Sequence, residues 1–526
     1  MSHAIPTAEL LQRLAAGIGD EHVLTDEHSR QLYAQDVYAT GKPALAVVRP
    51  GSTGELGEVV RLATEAGYAI LPRGGGMSYT GGYLPVEDNT VIVDYARMSR
   101  VLEINREDMY VTVECGCTWK VLHEALKDSG LRTPYWGTLS GIYATVGGSL
   151  SQNAIFWGSG QFGSAADSVI GLEVVLADGS VVRTGAGAQV NGSPFFRHYG
   201  PDLTGLFTCD AGALGFKAVA TLRLIPELPA REYVAVDFKS GDDALAAMSE
   251  IGRKGLAMEC FGFDPFLQAQ RMKRESLAAD VKSLAGVMKA SGSLLGALKD
   301  GAKVALAGRR YMDDVDFSVQ VIIEERCAEA ARLMAEEVRR IIARYNGKEI
   351  ENSIPKIVRA NPFGPVNNMV GPDGERWVPV HSILPHSKVL PAFKGVEAIA
   401  ERHAEAIAKY GIGMGYLFAT ISTNAFALEP VFFWPEELND LHRQSVTPEH
   451  LSRLKGFPAN PEATEAVAQL RREIVDLFTE IGGVHLQIGK TYRYREGLDP
   501  NTFKLVNAIK GLVDPSHKVN PGSLGL

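Results

Sequence analysis

Cysteine is scarce and odd in number. The five residues, Cys115, Cys117, Cys209, Cys260 and Cys327, show no paired ligand spacing, so neither a disulfide framework nor a metal site is expected, and a reducing, cytoplasmic setting fits. Long apolar runs are missing too: no stretch reaches about 18 uncharged apolar residues. The N-terminal MSHAIPTAELLQRLAAGIGDEH has no basic n-region followed by an apolar h-region, so neither a span nor a signal peptide is expected. Positive charge is in deficit, with 53 Lys+Arg against 62 Asp+Glu giving a formal charge of −9 and no long basic run. That lack excludes a nucleic-acid-binding class. The remaining composition, 45% hydrophobic and 22% charged over 526 residues, is that of a soluble globular chain of about three domain-sized units.

What the chain has in excess is glycine, 55 residues. The first section, residues 1–230, alternates strand-like runs (ALAVVRP, YAILP, VIVDYARM, MYVTVECG, GLEVVLADGS, AVATLRLIPEL) with short helices. Ser52 and Glu55 are spaced as a capping box. The second, 231–455, carries longer amphipathic helices such as CAEAARLMAEEVRRIIARYNG between the strands ERWVPVHSI and YLFATISTNAF, and predicts a helix-flanked antiparallel sheet. The third, 456–526, opens with Asn460-Pro461 as N-cap and N1 of a helix and is too short to stand alone, so it is expected to return to the first section. The fold class is α+β. Residues 270–310 hold nine Lys/Arg and three Asp/Glu, which leaves two readings open: a mobile lid or basic surface touching a membrane or partner, and an exposed helical hairpin.

The loop Arg73-Gly-Gly-Gly-Met-Ser-Tyr-Thr-Gly-Gly82 packs five glycines into ten positions. Without side chains, successive N–H groups can converge on one anion, as a phosphate or pyrophosphate requires. It is neither a Walker loop nor a Rossmann fingerprint. Two further small-residue clusters, Thr145–Asn153 and Cys209–Lys217, follow in the same section. Three such loops suit a long ligand such as a dinucleotide.

In their order, PRGGGMSYTGGYLP, ATVGGSLSQNA, SVIGLEVVLADGSVVRTG, DAGALGFKAVATLRLIPE and the terminal DPSHKVNPGSLGL resemble the vanillyl-alcohol oxidase / p-cresol methylhydroxylase superfamily of FAD-linked oxidases. The resemblance implies a two-part PCMH-type FAD-binding domain, a cap domain on an antiparallel sheet, and FAD as cofactor. It places the pyrophosphate on Gly74, Gly75, Gly76, Met77 and Ser78, with Gly147, Gly148 and Ser151 following. Gly212 and Gly215 fall near the adenosine half and Asn520 near the ring edge; Arg73 and Thr138 complete the cofactor set. Many relatives tether FAD through a histidine in this loop or a cap His or Tyr. Here those positions hold Met77 and Phe426, Phe432 or Phe433, which implies noncovalent FAD. The Tyr-Arg pair that phenol-oxidising relatives use falls on Leu486-Gln487, and their acid near Ser140, while Tyr492-Arg493 lies a few residues later. Homodimerisation is implied by the resemblance alone.

The candidate catalytic residues are His485 as base or hydrogen-bond donor, Gln487, Tyr492 and Arg493, the last in a cationic cluster with Lys490 and Arg495. The candidate substrate-binding residues are Tyr79, Trp377 and His381, with Phe418 and Asn424 on one face of a strand shared by Tyr416, Thr420, Ser422 and Phe426. These residues predict an FAD-dependent oxidoreductase that removes hydride from an alcohol carbon, aromatic or benzylic and including phenolic alcohols, with electrons leaving to O2 or an acceptor protein. A D-2-hydroxy-acid dehydrogenase is the alternative, and a flavin-carrying electron-transfer subunit a third.

Overall fold

The computed structural model describes residues 5–274 and 314–526. Of the basic stretch 270–310, only the end of the helix Pro265–Arg274 is described, so both expectations for it lie outside the described residues.

The N-terminal half is built on two sheets. In the first, Ala46–Val48 and Ile70–Arg73 flank Val91–Asp94 in parallel, and Val23–Leu24 pairs antiparallel at one edge. The helix Thr53–Glu65 begins where expected: Ser52 accepts from the Glu55 N–H at 3.2 Å. The Glu55 carboxylate accepts from the N–H of Gly51, one residue before the cap. The second sheet is antiparallel, in the order Val101–Asn105, Tyr110–Glu114, Phe216–Arg223, Val169–Val175, Val181–Arg183.

The larger sheet spans the middle of the chain. Its eight strands run antiparallel, Lys348–Ile350, Ala230–Phe238, Phe317–Glu325, Glu259–Phe263, Gly413–Ile421, Ala425–Trp434 and Arg376–Pro379, with Ser382–Leu384 also on Ala425–Trp434. Period-2 alternation sends its two faces into different cores. Val234, Val236, Val319, Val321, Phe418, Phe426, Phe432 and Trp434 join the core with the helices Gly241–Arg253, Ala328–Arg344 and Val389–Arg402. Ala419, Ile421, Ala427, Val431 and Phe433 face the N-terminal half. On Ala328–Arg344 the buried stripe is Ala331, Ala335, Val338, Ile341 and Ile342, and Leu333 is exposed.

Two expectations are corrected by the contacts. The helix Pro461–Glu480, capped by Asn460 as expected, packs on Val389–Arg402 of the middle section, and the return to the first sheet comes later, where Val519 bridges Ile70. The run VHLQIGK, which has a strand's composition, is instead an irregular loop bridged at Val484 to Ile383, because Gln487 (φ +45°) and Gly489 (φ +54°) turn the chain left-handed. Among the described residues no helix is long and apolar enough to cross a membrane.

The two halves are joined through a buried ionic cluster. Glu324, on a cap strand, accepts from Arg132 (3.2 Å), Arg359 (2.6 Å) and Arg231 (3.3 Å), and the Arg359 guanidinium lies 4.7 Å over the Trp136 ring. Burial pushes the Glu324 carboxyl up, but the charges of Arg359, Arg132 and Arg231 outweigh it and hold the group below the usual range. Removing one member of such a set strands the others in the interior. Glu324→Ala is expected to cost about 3–5 kcal/mol, read as a fall in the urea midpoint of unfolding; a midpoint within error of the parent's would show that the cluster carries no weight.

Candidate cofactor and substrate site

The glycine loop leaves the strand Ile70–Arg73 and runs against residues 143–145. A Cβ on Gly75 would enter the backbone carbonyl of Tyr143, and one on Gly74 would come within 2.5 Å of Thr145 Oγ1. Gly76 is left-handed at φ +73°. Thr145 then caps the helix Val146–Gln152, accepting from the Gly148 N–H at 3.1 Å. A Cβ on Gly147 would lie 2.5 Å from that of Cys115. The glycines therefore do more than free N–H groups: they let three loops stack with no side chain between them.

The stacking leaves two adjoining cavities, of about 250 and 60 Å3, that share Gly74, Tyr83, Thr145, Gly148 and Gln152 as walls. Gly76, Met77, Ser78 and Thr138 line the larger; Gly147, Ser151 and Gly215 line the smaller. Gln152 stands at the junction with a buried Oε1 that has no protein partner, an acceptor awaiting a donor. Four of the expected cofactor residues line neither cavity. Arg73 lies under the loop with its guanidinium 4.4 Å over Tyr33 and 5.3 Å over Tyr83. Gly75 and Gly212 are turned against Tyr143 and Pro72, and Asn520 is buried behind the loops.

Beyond Met77 the larger cavity reaches the cap sheet. Tyr79, Trp377, His381 and Gln487 meet on its wall: the Tyr79 ring is 5.6 Å from Trp377 and 6.4 Å from His381, and Gln487 Nε2 donates to the Tyr79 hydroxyl at 2.9 Å. Burial raises Tyr79 well above the usual phenol range, so it keeps its proton. His381 is locked. Its Nε2–H donates to the Leu486 carbonyl (3.0 Å), and its Nδ1 accepts from the Tyr492 hydroxyl (3.1 Å). With burial pushing it down to about 3, it stays neutral with both nitrogens engaged and presents only its ring to the cavity.

Five expected site residues lie elsewhere. His485 and Tyr492 sit behind His381, stacked at 3.9 Å, with His485 Nδ1–H donating to the His381 carbonyl; burial pushes His485 down to about 4, and it does not reach the cavity. Arg493 turns outward to Asp476 (2.9 Å), because it precedes a surface turn of helix instead of lying on a strand. Arg495, from the same expected cluster, lies over Phe503. Phe418 is on the other face of its strand, 5.9 Å from Phe393. Asn424 is exposed in the hairpin turn between Gly413–Ile421 and Ala425–Trp434. The alternation was legible, but the aromatic face belongs to the helices and the small-residue face, Leu417, Ala419, Ala427 and Val431, to the cavity.

That face carries a residue that motif reasoning passed over, Glu429. Burial pushes its carboxyl up to about 7, opposed by the charge of Arg271, which also lines the cavity. The available sign was a lone acid in the apolar run FALEPVFFW. Among the described residues no group of three or more His, Cys, Asp or Glu could hold a metal ion.

Residues 44–185 match the FAD binding domain family. The chain is 32% identical over 254 residues to an uncharacterized FAD-linked oxidoreductase of Mycobacterium tuberculosis, covering 48% of this chain and 53% of that protein. It is 29% identical over 246 residues to glycolate oxidase subunit GlcD of Bacillus subtilis, covering 47% and 51%. The matches thus span about half the length of these relatives. The fold superposes on p-cresol methylhydroxylase with a TM-score of 0.73 at 19% identity, covering 99% of this chain and 96% of that one. The chain thus carries an FAD binding domain at residues 44–185 and has the fold of p-cresol methylhydroxylase. FAD is its cofactor, and the paired cavities, glycine walls and unpartnered Gln152 oxygen suit an elongated dinucleotide. Gly75→Ala, which drives a methyl into the Tyr143 carbonyl, is expected to weaken FAD by more than about 1 kcal/mol, roughly fivefold or more in dissociation constant; titration of the apoprotein with FAD measures it, and parental affinity would refute the stacking argument.

Proposed function

We propose that the chain is an FAD-dependent oxidoreductase that oxidises an alcohol with an apolar, aromatic or benzylic body to the carbonyl, with Glu429 as the proton acceptor. The observation that carries the reading is Glu429 itself: a carboxyl poised at about 7 in an apolar cavity whose other end is the FAD loop. A general base works best with its pKa near the working pH. Bound FAD supplies the hydride acceptor. The chain supplies the rest. Glu429 takes the hydroxyl proton as the carbon–hydrogen bond breaks, and Tyr79, held by Gln487, donates to the oxygen that becomes the carbonyl. Trp377, Phe156, Leu417 and Val431 grip the apolar body and exclude water. O2 or an acceptor protein then takes the electrons. Met77 on the cavity wall offers a thioether where a flavin-tethering histidine would offer a ring nitrogen, so the cofactor is proposed to be noncovalent.

A D-2-hydroxy acid is the second reading, favoured by Arg271 as a counter-charge for a carboxylate and by the likeness to a glycolate oxidase subunit. Anaerobic mixing with aromatic alcohols and with D-2-hydroxy acids separates the two. Bleaching of the flavin band by alcohols alone is expected; bleaching by hydroxy acids alone would overturn the first reading. Acid precipitation is expected to release the yellow colour into the supernatant.

Only the carboxylate form of Glu429 accepts a proton, so turnover is expected to rise with pH through about 7. Glu429→Gln should lower kcat by about 10²–10⁴-fold and flatten that limb. The raised carboxyl also destabilises the fold as pH rises from its unfolded value of 4.5 to about 7, since above 4.5 the unfolded chain binds fewer protons than the native one. The same variant should therefore be more stable than the parent at pH 8, by at most about 3 kcal/mol. An active Glu429→Gln with an unchanged pH profile would remove Glu429 from the mechanism.

A further inference from the structure

Behind the two cavities, on the side away from the cap sheet, the C-terminal segment meets the first and third glycine loops. Asn520 stands at the meeting point, 1% exposed and left-handed at φ +44°. Its Nδ2 donates to the carbonyls of Gly82 (2.8 Å) and Ala211 (2.7 Å), and its Oδ1 accepts from Lys490 Nζ at 2.8 Å. Its backbone N–H donates to the Ile70 carbonyl at 2.8 Å, fixing it to the strand from which the first loop departs. Beside it Lys510, also 1% exposed, donates to the carbonyls of Ala213 and Val519 (2.7 Å each) and pairs with Asp514 at 2.6 Å.

Gly82 and Ala211 line the smaller cavity, whereas Asn520, Lys490 and Lys510 line neither. The third loop is tied to the second by its own backbone, Cys209 N–H to Leu150 and Ala211 N–H to Ser151. Among the described residues no hydrogen bond runs directly from 74–82 to 209–215. Besides their shared packing on the second loop, those two loops are linked by what lies behind them. A carboxamide supplies two donors and an acceptor on one short side chain, a combination that neither Asp nor an apolar residue can give.

We propose that Asn520 is a positioning residue for FAD: with Lys490 and Lys510 it locks the first and third glycine loops at the separation the cofactor requires, without touching the cofactor. Losing it leaves the Ala211 carbonyl without its donor and the Gly82 carbonyl with only the longer bonds from Ser523 (3.3 Å) and Lys490 (3.5 Å), and lets the smaller cavity change width. Lys490→Met removes one arm of the lock while keeping the chain length, and Lys490→Arg keeps a donor there.

The test is titration of each apoprotein with FAD, following flavin fluorescence, with the visible circular dichroism of the bound flavin as a second readout. Asn520→Ala, which removes three side-chain hydrogen bonds, is expected to raise the FAD dissociation constant roughly tenfold or more and to change the visible spectrum. Lys490→Met should raise it less, and Lys490→Arg should stay nearer the parent. If Asn520→Ala fails to fold, judged by far-ultraviolet circular dichroism, Lys490→Met and Lys490→Arg decide the matter. Parental affinity and spectrum in Lys490→Met, or in a folded Asn520→Ala, would overturn the proposal even if the melting temperature fell.

Discussion

The structure turns on one steric constraint: the chain leaving Ile70–Arg73 must pass so close to residues 143–145 that no Cβ fits at Gly74 or Gly75. From this follow the Thr145 cap, the helix behind it, and the opposition of Gly147 to Cys115. A chain that stacks loops this tightly cannot fill the space between them with side chains, so it is left with a narrow, backbone-walled slot. FAD is the ligand that fills such a slot, and the first and third loops share no direct hydrogen bond among the described residues. Their separation falls to residues behind them, which is why buried lysines and an asparagine with fully paired amide atoms sit there instead of leucines.

The cap sheet answers a second constraint. Each strand has one face for the helices and one for the FAD-binding half, and the two must differ in bulk. The helical side takes Phe418, Phe426, Phe432 and Trp434; the cavity side keeps Leu417, Ala419, Ala427 and Val431, whose modest size leaves room for a substrate. Glu429 is the exception on that second face, and its carboxyl feels the apolar surroundings as a raised proton affinity.

Much of this was legible in the chain itself. The glycine clusters, the strands of the first half, the caps at Ser52 and Asn460, and the pairing of Trp377 with His381 on one strand face follow from local pattern, while Met77 and Gln487 were placed by the resemblance. What pattern could not reach depends on tertiary cover. Period 2 divides a strand into two faces but does not say which face the helices take or where the strand ends: Phe418 lies on the helices' face and Asn424 in the turn beyond it. A short apolar run such as VHLQIGK has the composition of a strand, yet left-handed turns at Gln487 and Gly489 pull His485 and Arg493 off the cavity. Spacing along the chain says nothing of a hydrogen bond across 309 residues, so the resemblance places Asn520 near the cofactor while the bond that ties it to Ala211 is seen only in the fold.

Glu429 joins these threads. A carboxyl on an apolar strand, its proton affinity raised by burial, opposes folding at neutral pH. Residues that cost stability in this way persist where the chemistry needs them, and the cost is largest where the group is driest. The histidines nearby are the converse. His381 has both ring nitrogens satisfied and His485 is held low by burial, so each is suited to shaping a wall and neither to carrying a proton at neutral pH. Both His381 and Glu429 line the cavity, but both ring nitrogens of His381 are engaged, so the carboxyl is the group proposed to exchange a proton with a substrate.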